Sequence, residues 1–209
     1  MNILAVGAHY DDIELGCSGT LKKLKDKGHR IIYYVGTTSG FNALLDLKQV
    51  RSAENAQKEG ELAAQKMGAI LYSGNALTFE LNYNNELNTE LAGIIEKEKI
   101  DILFNQWGDE YHHDHWSLSK AAYHASKHVK RVLEYHSNWY EARTQFCANF
   151  FVDISDYIDF KLQLLKVYES EYRRVGDDWE KFVINTSRIY GLKNGCEYAE
   201  GFKCIRWLD

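Results

Sequence analysis

The chain has 209 residues, 45% hydrophobic and 26% charged, with a formal net charge of −5, the balance of an ordinary globular protein. Weak acidity without a basic block argues against nucleic-acid binding, and no apolar run approaches the roughly 18 residues a membrane span needs. The length suits one domain spanning 1–209, and four cysteines outside any CxxC pair, with no secretory signal in view, read as reduced thiols of a cytoplasmic protein.

In chain order, Asn2–Ala8 predicts a short buried strand and Asp12–Gly28 a helix with Leu15, Leu21 and Leu24 near one face. Arg30–Thr37 is the next strand, followed by a loop over Thr38–Asp46 and a long helix over Lys48–Met67 that ends at Gly68. Ala69–Ser73 is a strand, Asn82–Asn88 a turn and Glu90–Glu98 a helix. Ile100–Asn105 is a further apolar strand that runs into GDEYHHDH, Gly108–His115, with a helix over Ser117–Val129 behind it. Val132–His136 and Phe146–Ile154 read as strands, Ser155–Tyr172 and Trp179–Leu192 as helices, and Tyr198–Leu208 as a final strand. This alternation predicts an α/β fold with a Rossmann-like, mostly parallel sheet, helices on both faces, and a more β-rich C-terminal part that forms a cap or side layer.

In such folds ligands bind beyond the carboxyl ends of the strands, and two polar clusters sit there. The first is His9, Tyr10, Asp11, Asp12 and Glu14; the second is His112, His113, Asp114 and His115. Imidazole and carboxylate both ligate a zinc-like ion, and two ligands from one loop with one from the other leave a fourth position open, as in catalytic zinc sites. Plainer readings stand beside this one. Asp11 or Asp12 caps the following helix, Glu14 favours its first turn, and the second cluster is a solvated turn. That both clusters end buried strands favours the shared site. Cys17 is a competing nucleophile, though cysteine is often a small buried hydrophobe. His124 and His128 lie among Lys120, Lys127 and Lys130 and read as surface, and Gly16 and Gly19 do not complete a G-x-G-x-x-G dinucleotide loop.

The two clusters resemble the motifs of the PIG-L/LmbE-like N-deacetylases. The family's A-H-P-D-D-x-E is similar to AHYDDIE at Ala8–Glu14, followed by GCSGTL at Gly16–Leu21, and its H-P-D-H to HHDH at His112–His115. RSAE at Arg51–Glu54, FVDISDYIDFK at Phe151–Lys161 and YAEGFK at Tyr198–Lys203 extend the resemblance through the chain. It implies a metal-dependent hydrolase that removes an N-acetyl or similar N-acyl group from an amino sugar or sugar conjugate. Carried over by position, His9, Asp12 and His115 are the metal ligands, with Zn2+ the expected ion and Fe2+ the alternative. Asp11 is the general base, His112 the oxyanion stabiliser or acid, Asp114 the residue that orients His112 and raises its pKa, and Arg51 a substrate contact. Homo-oligomeric assembly is a further implication. The chemistry is coherent: a cation lowers the pKa of water and polarises an amide carbonyl, a free carboxylate moves the proton, and a donor meets the developing charge.

Departures from the pattern fall at backbone devices and at the substrate. Tyr10 and His113 replace the two motif prolines, Ser18 a loop glycine, and a late H-x-S-Q-like motif becomes YESE at Tyr168–Glu171. The sugar-gripping aspartate common in the middle of the family has no counterpart in LTFELNYNNEL, Leu77–Leu87, where Glu80 is a poor substitute. The competing functions are another single-metal amide or phosphoester hydrolase and a non-catalytic metal- or sugar-binding protein.

Overall fold

The fold follows from apolar runs long enough to be buried on both faces. In a computed structural model, residues 1–43, 45–46, 48–139 and 141–209 are described; Leu44, within the expected loop, and Leu47 and Tyr140 lie outside the described residues. β1 (Asn2–Gly7), β2 (Arg30–Thr37), β5 (Ile70–Ala76), β6 (Ile102–Gln106), β7 (Arg131–Tyr135), β8 (Phe150–Asp153) and β9 (Ala199–Trp207) form one sheet in the order β5-β2-β1-β6-β7-β9-β8. The first five are parallel, and β9 and β8 join antiparallel at one edge. The β-rich tail therefore continues the same sheet instead of capping it. A two-stranded antiparallel hairpin, β3 (Phe41–Asn42) and β4 (Gln49–Arg51), lies apart from it.

Side chains alternate across the central strands, so neighbouring residues fill two separate cores. Ile3, Ala5, Ile31, Tyr33, Ile102 and Phe104 face one core, which also takes α1 (Asp12–Asp26), α2 (Ala53–Met67), α5 (Ile158–Leu165) and residues of α7 (Asp178–Asn194). Leu4, Val6, Ile32, Tyr34, Leu103 and Val132 face the other, beneath α3 (Asn85–Glu98) and α4 (His113–Ala125). The doubly covered parallel sheet expected from the alternation is present.

Four helix boundaries depart from expectation, each for a local reason. The long helix begins at Ala53, because Ser52 caps it by accepting from Asn55 N at 3.1 Å and Gln49–Arg51 pair as strand. The helix expected over Glu90–Glu98 begins at Asn85, inside the expected turn, because Asn84 caps it by accepting from Leu87 N at 2.9 Å. The helix after β6 begins at His113, which places the second polar cluster on its first turn. The expected helix over Ser155–Tyr172 is a 3-10 turn (Ser155–Tyr157), α5 and α6 (Glu169–Val175).

Gly16 sets how closely α1 lies on β7. A Cβ at Gly16 would sit 1.9 Å from Tyr135 Cδ2, and that ring is pinned by its hydroxyl, which donates to Val6 O at 2.7 Å. The motif glycine thus serves helix–sheet packing. Gly16→Ala is expected to cost about 1–3 kcal/mol, seen as a fall in Tm of several degrees in a thermal melt; an unchanged Tm would contradict this packing.

Candidate active site

Strand order brings the two polar clusters together. β1 has β2 on one side and β6 on the other, so the reversal of order falls at β1 and β6. His9 follows β1 and the His112–His115 run follows β6, beyond the carboxyl ends of adjacent parallel strands. This is where a parallel α/β sheet opens a crevice.

Asp11 and Asp12 point to different partners. Asp11 occupies the N-cap position of α1, but its side chain makes no capping bond. Its φ of 129° is a conformation non-glycine residues rarely adopt and costs of order 1–3 kcal/mol. Arg51 Nη1 holds it there through Asp11 Oδ2 at 3.3 Å and Tyr10 O at 3.1 Å. Asp12 turns inward, where its Oδ2 accepts from His9 N at 2.8 Å and its Oδ1 from Ser137 Oγ at 2.9 Å. Gln106 supports that arrangement, donating to Ser137 Oγ at 3.2 Å and accepting from Ala8 N at 2.8 Å.

Three residues bring ligand-type atoms together, with both carboxylate oxygens of Asp12 facing the two imidazoles. His9 Nδ1 and His115 Nε2 are 3.2 Å apart, His9 Nδ1 and Asp12 Oδ2 3.4 Å, and His115 Nε2 and Asp12 Oδ1 3.5 Å. Ligands about 2.0–2.1 Å from a tetrahedral ion lie about 3.3 Å from one another, so this donor set fits a zinc-like cation. His112 stands next to it, with ligand atoms of His9, His112 and His115 all within 4.8 Å of one another. Its ring stacks on His115 at 4.4 Å between centroids and meets His9 edge-on at 4.8 Å.

Each of the two closest imidazoles has a carboxylate behind it. His9 Nε2 lies 2.9 Å from Asp114 Oδ2, and His115 Nδ1 lies 2.5 Å from Glu110 Oε2. Such partners fix ring orientation and leave the other nitrogen for an ion. Glu110 also reaches His136, with Oε1 3.1 Å from Nε2. Asp114 is fully buried and accepts from Phe79 N at 2.7 Å and Leu81 N at 3.0 Å.

Asp114, expected to orient His112, sets its carboxylate against His9 Nε2. The pKa of His112, expected to rise, is instead pushed down to about 4 by burial and by charge on His115 and His9, with Asp114 and Asp12 opposing. Burial opposes charge on His9 too, yet hydrogen bonds to Asp114 and Asp12 win and push it up to about 10. Burial also raises Asp11 well above the usual carboxylate range against the pull of Arg51. For Asp12, burial is outweighed by charge on His115 and bonds from His9, which hold it low.

The remaining candidates divide cleanly. Arg51 lines the cavity, but its guanidinium is given to Tyr10, Asp11 and, at 2.9 Å, Glu59. Its first task is to hold the loop. Glu14 lies in the first turn of α1, as expected, but is buried there, and burial raises it to about 7 against a hydrogen bond with Tyr168. Cys17 is fully buried, its Sγ 3.5 Å from Ile13 O, and burial raises its pKa, which removes the nucleophile reading. His124 and His128 are exposed, as expected of surface residues. Missed from sequence were Glu110, Gln106 and Ser137. Glu110 had a signal, as a carboxylate five residues before a histidine ligand candidate; the other two are ordinary polar residues whose partners only the sheet reveals.

Residues 4–126 match PIG-L, described as GlcNAc-PI de-N-acetylase, which is more than half the chain. The chain belongs to the PIG-L family. It is 28% identical over 227 residues to diacetylchitobiose deacetylase of Thermococcus kodakarensis, covering 97% of this chain and 82% of that protein. It is 29% identical over 178 residues to the deacetylase YaiS of Escherichia coli, covering 80% and 90%. The structure of N,N'-diacetylchitobiose deacetylase from Pyrococcus horikoshii superposes with a TM-score of 0.83 at 26% identity, covering 98% of this chain and 83% of that one.

The two missing prolines have different substitutes in this family member. Tyr10 is 3% exposed; its N donates to Ser39 Oγ at 2.9 Å, its hydroxyl to Ser73 Oγ at 2.8 Å, and its ring packs on Gly60, where a Cβ would come within 2.1 Å. A side-chain anchor and an N–H bond that proline cannot make thus fix the loop. His113 is exposed at the first position of α4, where proline is favoured, and His112 has φ −71° and ψ 117°, a conformation compatible with a following proline. His113→Pro is expected to hold or raise stability by about 0.4–1 kcal/mol, and Tyr10→Pro to lower it by several kcal/mol; denaturant melts of both variants check this, and the reverse order would contradict it.

Proposed function

We propose that the chain is a metal-dependent N-deacetylase that hydrolyses the N-acetyl, or a similar N-acyl, group of an amino sugar or sugar conjugate. The observation that carries this reading is the triangle of His9 Nδ1, Asp12 and His115 Nε2, with edges of 3.2, 3.4 and 3.5 Å, on a cavity of about 340 Å³ that Asp11 also lines. That volume falls within the range of small-molecule sites. The family match and the deacetylases among its relatives support the same reaction class.

His9, Asp12 and His115 would hold the ion, with Asp114 and Glu110 as the positioning residues behind the two imidazoles. Two imidazoles and a carboxylate suit Zn2+, and Fe2+ as the alternative. Such an ion, when bound, lowers the pKa of water and polarises a carbonyl oxygen. The chain's own groups do the rest. Asp11, raised by burial and steered by Arg51, takes a proton from the attacking water and delivers it to the leaving amine nitrogen. His112, neutral because of its lowered pKa, still offers a ring N–H to the oxygen on which charge develops.

Residues 1–209 act as one catalytic domain on this reading, because β1 and β9, from opposite ends of the chain, belong to one sheet. Four free cysteines suit a reducing compartment such as the cytoplasm, and among the described residues no helix is long and apolar enough to cross a membrane.

Asp11→Asn tests the division of labour between the two aspartates. The variant is expected to keep the wild-type metal content by elemental analysis while acetate release from N-acetylglucosamine or N,N'-diacetylchitobiose falls about 10²–10⁴-fold. Turnover close to wild type, or full activity in chelator-treated protein, would overturn the mechanism.

A further inference from the structure

The cavity has a second wall that the catalytic groups leave unexplained. Glu171, on α6, is 3% exposed and Trp179, on α7, is 2% exposed; both line the cavity, as does Thr78. Glu171 Oε1, Trp179 Nε1 and Thr78 Oγ1 are buried, and none has a hydrogen-bond partner among the described residues. Buried polar atoms are nearly always paired, so three unpaired atoms on one cavity call for an outside partner. One is an acceptor, one a donor and one both. Sugar hydroxyls match that set, since each donates and accepts.

Two more features narrow the ligand. Phe79 is half-exposed, and its ring stacks on His112 at 5.4 Å and meets Phe41 edge-on at 6.3 Å. An aromatic edge of this kind suits the C–H face of a pyranose. The two arginines that line the cavity are both committed to carboxylates: Arg51 to Asp11 and Glu59, and Arg174 to Glu171 through Nε at 2.9 Å. A phosphate would have to compete with those carboxylates and face Glu171 itself.

We propose that Thr78, Glu171 and Trp179 form a hydroxyl-reading wall that binds an uncharged pyranose beside the His9–Asp12–His115 triangle. The assignment rests on the deacetylase reading above and adds the substrate's charge and the residues that select it. Glu171 closes YESE, Tyr168–Glu171, the place at which the family resemblance implies an H-x-S-Q-like motif.

The test uses the metal-loaded, full-length protein. Glu171→Gln and Trp179→Phe are expected to raise KM for N-acetylglucosamine at least about tenfold, with kcat changed less than about threefold. Among its 3-, 4- and 6-deoxy analogues, one is expected to lose a similar factor with the wild type and to be hydrolysed equally well by wild type and Glu171→Gln. N-acetylglucosamine 1-phosphate is expected to be at least about tenfold poorer than the methyl glycoside. Unchanged KM in both variants, or losses for all three analogues that simply multiply with the Glu171→Gln loss, would overturn the wall. Equal use of the phosphate would overturn the uncharged assignment. If the wild type releases no acetate from any of these sugars, the deacetylase reading fails by itself. Calorimetric binding of methyl N-acetylglucosaminide then judges the wall: weaker binding by both variants supports it, and wild-type affinity in both overturns it. Thermal melts and metal content identify a variant that has merely misfolded, in which case Thr78→Val takes its place under the same criteria.

Discussion

The site depends on one contact that crosses between loops, the bond of Asp114 to His9. Asp114 Oδ2 lies 2.9 Å from His9 Nε2, and the same carboxylate accepts from the backbone of Phe79 and Leu81. One fully buried side chain therefore ties together the turn after β1, the first turn of α4 and the segment that follows β5. A carboxylate so enclosed is costly to bury unless it is well hydrogen-bonded. Its three partners meet that need, and in doing so they aim His9 Nδ1 at Asp12 and His115. Removing any partner would leave charge stranded in the core, so the geometry of the three loops is held as a unit.

A second chain of contacts does the same for the other imidazole. Glu110 orients His115 and reaches His136 beyond β7, while Ser137, two residues after that strand, holds Asp12. Neighbouring strands β1, β6 and β7 each contribute one end of these links. The parallel sheet is thus more than a scaffold, because the order of its strands decides which polar side chains can meet. The strain at Asp11 belongs to the same plan. A positive φ separates its carboxylate from that of Asp12, and Arg51 holds it apart at the cavity wall.

Much of this was legible in the sequence, for reasons that differ by residue. The buried strands announce themselves as apolar runs, and a histidine and carboxylates directly after two of them mark the crevice. His9, Asp12 and His115 follow from that placement together with the family resemblance. The partner of Asp114 was not legible: this carboxylate, two residues after His112, has its hydrogen bond 105 residues back on His9. His112, at the N-cap of α4, stacks on His115, and burial together with charge on His115 and His9 depresses its pKa instead of raising it. Tyr10 looked like a lost proline, and only packing on Gly60 and the bonds to Ser39 and Ser73 reveal it as an anchor. Glu171 and Trp179 carry no local signal, because their meaning comes from a cavity formed with residues more than 100 positions away.

The central claim is that two loops share one cation through His9, Asp12 and His115, with His112 acting on substrate instead of ligating the ion. X-ray absorption of the zinc-loaded protein, combined with metal counting, tests it most directly. The account predicts one zinc per chain with two imidazoles and oxygen donors in its shell, at about 2.0–2.1 Å, and the same spectrum from His112→Ala. A shell of three imidazoles that loses one in His112→Ala, or a protein that retains no ion, would contradict it.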